Sequence, residues 1–195
     1  MATLVMDCEV SFLPWEEDWR RNKTEILSVC SIFNTETQDM TSYHEDDIQE
    51  AIDVLLAADR IIGHNIKGFD FHVLDNYRPG IVGKLSPKAL DTMLYLFAKT
   101  GRFFKLDDLG QDNVGYGKLE SAVSPSRMFR MGMFNLLDEY NRQDVRLNWD
   151  LFVAGNVNKY LVVRDDEEIK MVEVEWEYEN YPDVSLTESL KKRAG

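Results

Sequence analysis

Asp7 and Glu9 stand two residues apart in the otherwise apolar run TLVMDCEV. In an extended strand that spacing sends both carboxylates to one face and Met6, Cys8 and Val10 to the other. An acidic pair on one face of an apolar strand is costly unless something neutralises it, and a divalent cation is one such partner. An edge strand with a wet outer face is the other reading, and the pair alone leaves both open. Asp70 closes the segment GHNIKGFD, five residues after Asn65 and just past a short apolar run. Loops at strand ends are where α/β folds gather their sites. In YNRQD, Tyr140 and Asp144 are four residues apart and therefore share a helical face, which Leu136, Leu147 and Leu151 extend. A carboxylate in an apolar stripe points toward the core and needs a partner there, for which a nearby arginine would serve as well as a metal.

Four carboxylates, from Asp7, Glu9, Asp70 and Asp144, would repel one another strongly if packed without cations, so their convergence calls for metal. Oxygen-only ligation, with no Cys or His at ligand spacing, points to Mg²⁺ or Mn²⁺. Two such ions about 4 Å apart can hold the attacking and leaving oxygens of an in-line phosphoryl displacement. His44, His64 and His72 lack partners at metal-ligand spacing and read as structural or solvated. Cys8 and Cys30 sit in strand-like apolar runs and read as buried, reduced thiols.

The order and content of DCE, GHNIKGFD and YNRQD resemble the three exonuclease motifs of the DEDD superfamily, 3′–5′ exonucleases with a ribonuclease-H-like fold. Tyr140, four residues before Asp144 and preceded by Glu139 rather than His, makes the chain similar to the tyrosine (DEDDy) branch. That branch includes ribonuclease D, Werner-type exonucleases and family B polymerase proofreading domains. The segments LDTMLYLFAKTGRFFKLDDL and GYGKLE are similar to the connecting region of stand-alone and phage-type members, so the resemblance spans about residues 3–155. Val10 departs from it, since many members carry Thr or Ser after the first Glu.

The resemblance implies that Asp7, Glu9, Asp70 and Asp144 hold two divalent ions, Mg²⁺ or Mn²⁺. Tyr140 would orient or help deprotonate the attacking water. Asn65 and Phe69 match positions beside the terminal nucleotide, although a turn-forming Asn and a core Phe remain the alternatives. Asp91 matches an acidic position of the connecting region and could equally cap the helix after it. The expected partners are 3′ ends of single-stranded DNA or RNA, DNA before RNA, and the products nucleoside monophosphates. A catalytically inactive binding or scaffolding subunit and a structure-specific endonuclease on the same fold are the competing expectations.

The elements that must position these residues are legible in outline. Residues 3–10, 26–34 and 39–43 read as strands, the last two joined as a hairpin across TETQ, with an aperiodic loop at 11–25. Ile48, Ala51, Ile52, Leu55 and Leu56 mark a helix over 45–58, with acids in its first turn, and RIIGHN follows as a buried strand. A helix over 69–77 stops before Pro79 and Gly80, a brief strand lies around Leu90, and the next helix stops at Gly101. Short helical pieces occupy 102–134, and a long helix spans about 134–154. YLVVR and KMVEVEWEYE alternate across DDEE as a hairpin, and the polar tail SLTESLKKRAG frays or is disordered. The expected architecture is α/β, with a ribonuclease-H-like mixed five-stranded sheet flanked by helices over 1–155 and a small β-hairpin extension with a tail over 156–195.

The chain of 195 residues carries a net charge of −13, which argues against a protein that coats long polyanions. Only residues 61–130 are basic, with 10 Lys and Arg against 7 Asp and Glu. Lys67, Lys84, Lys88, Lys99, Arg102, Lys105, Lys118, Arg127 and Arg130 supply that excess, and some of them could track a phosphate backbone. Trp15 and Trp19, beside Arg20 and Arg21, either pack within their loop or stack on bases. No stretch approaches the roughly 20 apolar residues of a membrane span, and the N-terminus has no signal-like pattern, so a cytoplasmic protein starting at Met1 is expected.

Overall fold

The computed structural model describes residues 2–11, 26–119, 121–165 and 168–176. The loop bearing Trp15 and Trp19 and the tail from 185 onward lie outside the described residues.

Among the described residues seven strands form two sheets: β1 (Thr3–Val10), β2 (Leu27–Asn34), β3 (Met40–Tyr43), β4 (Arg60–Gly63) and β5 (Ala89–Asp91), then β6 (Tyr160–Asp165) and β7 (Glu168–Glu173). The five-stranded sheet has the order β3-β2-β1-β4-β5 and the other sheet is the β6-β7 hairpin. β1, β2 and β3 are antiparallel neighbours, whereas β4 and β5 run parallel to β1. This is the expected mixed sheet flanked by helices with a C-terminal hairpin, compatible with a ribonuclease-H-like arrangement. The helices are α1 (Ile48–Ala57), α2 (Asp70–Asp75), α3 (Ile81–Leu85), α4 (Thr92–Thr100), α5 (Leu106–Asn113), α6 (Pro125–Arg130) and α7 (Phe134–Asn158). Among the described residues no helix is long and apolar enough to cross a membrane.

The alternation of β1 divides the core. Leu4, Met6, Cys8 and Val10 face one side with Ile48, Ile52 and Leu55 of α1 and Phe71 and Leu74 of α2. Val5 joins the other side with Val145, Leu151 and Phe152 of α7. Each such fully buried large side chain contributes about 1.5–3 kcal/mol by leaving water. Asp7 and Glu9 share the parity of Val5, so the strand itself delivers them to the α7 side.

Two helix bounds differ from the expectation. The first helix begins at Ile48, because Glu45–Asp47 form a tight turn in which Asp47 accepts the His44 amide at 2.6 Å. α7 runs on through Gly155 to Asn158, since that glycine leaves space for the Trp176 ring, which would collide with any Cβ there. Trp176 Nε1 donates to the Phe152 carbonyl at 3.1 Å and its ring stacks on Phe152. Leu161, Val163, Val174 and Trp176 therefore join the α7-side core. Leu136, assigned to the buried stripe, is exposed, whereas Leu137 is buried.

Candidate metal centre

β1 pairs with β4 only over Thr3–Val5. β4 ends at Gly63, packed so closely against the Met6 carbonyl and Ile66 that a Cβ has no room. Past that point, among the described residues, no strand pairs with the β4-facing edge of β1, and the N–H of Cys8 donates to Asp70 Oδ1 at 2.7 Å. Asp70 thus completes the hydrogen bonding of the strand that carries Asp7 and Glu9.

Asn65 makes the turn that brings Asp70 there. It has a left-handed φ of 66°, and its carbonyl accepts the amides of Gly68 and Phe69 at 3.0 and 2.9 Å. Asp91 braces this turn, accepting the amides of Asn65 and Lys67 at 2.9 Å each while also capping α4 through Met93 and Leu94. It therefore serves both as a cap and as a support for the turn. Phe69 packs partly buried against the α1-side core. His64 is structural: its ring bonds the Thr92 hydroxyl and donates to the Phe104 carbonyl, both at 2.9 Å, and burial lowers its pKa to about 4.

The helix α7, packed on the face of the sheet to which Asp7 and Glu9 point, supplies the third acid. Asp144 is fully buried, and oxygen atoms of Asp7, Glu9 and Asp144 all lie within 4.8 Å of one another. Asp70 is buried beside this trio without joining it, and its charge acts on Asp7. Asn141, one turn before Asp144, donates from Nδ2 to Asp7 Oδ2 at 2.8 Å, and Asn148 Nδ2 donates to the Asp144 carbonyl at 3.0 Å.

Crowding and burial raise the proton affinity of every acid here. Asp7 is held well above the usual carboxylate range by burial and then by Asp70 and Asp144. Burial lifts Glu9 to about 8 and Asp70 to about 7, the latter against the hydrogen bond from Cys8. Asp144 is raised by burial as well, although Lys118 opposes it. The Tyr140 phenol, half-buried, is pushed up to about 12 by burial and by the same carboxylates, against Lys118.

Lys118 is the cation of the cluster. Its Nζ lies 2.5 Å from Asp144 Oδ2, in place of the arginine that the sequence allowed as a partner. Burial of the ammonium opposes its charge, but Asp7, Asp144 and Glu9 outweigh that and hold it protonated. Other members of the basic segment are committed elsewhere, Lys88 to the Leu56 and Ala58 carbonyls, Lys99 to Glu175 and Arg102 to Asp165. Asn141 was not picked out in the sequence, and Lys118 stood there only among the basic residues that could track a phosphate backbone, not as a partner of the acids. Asn141, Asp144 and Asn148 do form a polar stripe at helical spacing, and the two glycines of Gly115–Lys118 mark a constrained loop.

The acidic trio fits a hard divalent cation. Its donors are all oxygen, and among the described residues the buried Asp144 Oδ1 has no hydrogen-bond partner, so Lys118 answers only one of that carboxylate's two oxygens. Two open hollows of about 470 and 580 Å³ lie elsewhere, against the hairpin and the starts of β4 and β5, where among the described residues no three acids come close enough to hold a metal ion. No protein-family model matches the chain, and no curated protein matches it.

Proposed function

We propose that this protein is a metal-dependent 3′–5′ exonuclease that shortens single-stranded nucleic acid, DNA before RNA, to nucleoside monophosphates. The observation that carries the reading is the meeting of Asp7 and Glu9 from β1 with Asp144 from α7, their oxygens within 4.8 Å, beside the buried Asp70. Asp7, Glu9 and Asp144, with Asp70 beside them, would hold two divalent ions, Mg²⁺ or Mn²⁺. When bound, such ions make water a stronger nucleophile and offset charge on the leaving 3′ oxygen.

The chain's own groups do the rest. Asn141 fixes the orientation of Asp7 through its amide. Asp70, tied to Cys8, braces the strand that carries Asp7 and Glu9. Tyr140, whose pKa is pushed up to about 12 by burial, keeps its proton at physiological pH and would position water by hydrogen bonding. Asn65 and Phe69, in the turn before Asp70, would lie beside the terminal nucleotide.

One observation favours a second reading. Lys118 already places a cation among the acids, as it would in a binding or scaffolding subunit that had exchanged metal for lysine. Linear and circular single-stranded DNA of one sequence, incubated with Mn²⁺, separate the possibilities. Loss of the linear form alone with release of monophosphates supports the exonuclease. Cutting of the circle points to an endonuclease, and retention of both forms to the binding subunit.

A further inference from the structure

We propose that Lys118 is a tethered cation that guards the acidic cluster, competing with divalent metal until a nucleic-acid phosphate draws the ammonium away, so that metal and substrate enter together. This rests on the exonuclease reading and adds a reason why the site would not load with metal alone.

The loop before Lys118 is built to deliver it. Gly115 takes a left-handed φ of 83°, and a Cβ at Gly117 would displace the Asp107 carboxylate that accepts the Lys118 amide. The Lys118 amide donates to Asp107 Oδ1 at 2.7 Å, the Gly117 carbonyl accepts from Gln143, and the Tyr116 hydroxyl donates to Asp150. The loop is thus held to α5 and α7 at three successive residues, through the backbone at Gly117 and Lys118 and the side chain of Tyr116. Beyond it the side chain is only a flexible stem, 35% exposed, ending 2.5 Å from Asp144. A held loop with a long unbranched stem ending in a charge suits a group that can reach two partners.

The ammonium is an incomplete substitute for metal. It satisfies Asp144 Oδ2 and, among the described residues, leaves the buried Oδ1 without a partner. Four acids balance two divalent ions with no charge left for Lys118 to answer. Displaced, its single positive charge matches one phosphodiester, whose oxygens accept from an ammonium as a carboxylate does. Metal affinity therefore rises when phosphate is present and falls when it is absent, a reciprocal coupling between two ligands.

Mn²⁺ binding measured by calorimetry on the whole protein tests this without reference to activity, with thymidine 5′-monophosphate as an uncleavable phosphate probe. Lys118→Met is expected to bind Mn²⁺ at least tenfold more tightly than wild type when no nucleotide is present. The nucleotide should tighten Mn²⁺ binding about tenfold in wild type and leave Lys118→Met unchanged. Equal affinities in the two proteins, both binding Mn²⁺, overturn the guard and leave the metal site standing. Absence of Mn²⁺ binding in both overturns the guard and the exonuclease reading together. Wild-type protein gives an independent readout should the variant fail to fold: acetylation of Lys118, followed by mass spectrometry, should rise several-fold on Mn²⁺ saturation and fall again with nucleotide. Labelling insensitive to Mn²⁺ contradicts the proposal.

Discussion

Asp70 Oδ1 accepts the backbone N–H of Cys8 at 2.7 Å, joining the turn after β4 to the strand residue that lies between Asp7 and Glu9. The same carboxyl is thus a hydrogen-bond acceptor for the sheet and a candidate metal ligand. Those roles separate by substitution. Asp70→Ala leaves a buried amide unpaired and should lower unfolding free energy by about 1–3 kcal/mol. Asp70→Asn retains an acceptor and relieves repulsion, so its stability at pH 8 should equal or exceed wild type while 3′ shortening is lost. Urea unfolding of the two variants beside a nuclease assay checks both halves.

The Asn141 amide is the one side-chain donor that Asp7 has from α7 among the described residues. Asn141→Leu fills similar volume but removes it, and should cost about 1–3 kcal/mol in urea unfolding together with at least tenfold weaker Mn²⁺ binding. Unchanged metal affinity would show that Asp7 needs no such orientation.

Tyr140→Phe should leave the melting temperature nearly unchanged, since the ring still packs beside Met128 and Leu137. Loss of the hydroxyl should slow cleavage about 100-fold, the lower range for a positioned proton-bearing group. The pH–rate profile of wild type should show no alkaline limb from Tyr140 below about pH 11, given a pKa near 12. A limb near pH 8 that disappears in Tyr140→Phe would contradict the positioning role.

Stability without metal should fall as pH rises. Glu9 and Asp70 titrate near 8 and 7 in the folded chain against ordinary values of 4.5 and 3.8. Between those limits the folded state holds protons that the unfolded state has released, so their stabilising protonation is complete below about pH 4 and gone above pH 8. Melting temperatures from pH 5 to 8.5 should decline in EDTA, decline less in Glu9→Gln, and stay level with saturating Mn²⁺. His64 acts in the opposite sense at lower pH: its pKa near 4, against 6.5 unfolded, removes stability as pH drops from 6.5 to 4.

Much of this was written in local patterns. The alternation of TLVMDCEV sent Asp7 and Glu9 to one face, and the stripe at Ile48, Ala51, Ile52 and Leu55 marked α1, because both periods follow from backbone geometry alone. Asp70 was marked by its place after a strand. The position of Lys118 was not legible, since it depends on Asp107, Gln143 and Asp150 holding a loop distant in sequence from Asp144. The extension of α7 past Gly155 was hidden for the same reason, as only the Trp176 ring explains a glycine inside a helix.

The most direct test of the central claim is a denaturing gel of 5′-labelled single-stranded DNA incubated with wild type or Asp144→Asn, in Mg²⁺, Mn²⁺ or EDTA. Wild type with either ion should give a ladder that shortens one nucleotide at a time from the 3′ end, and the substrate should stay intact in EDTA or with the variant. Intact substrate with wild type in both ions, or shortening that persists in Asp144→Asn, would contradict that claim.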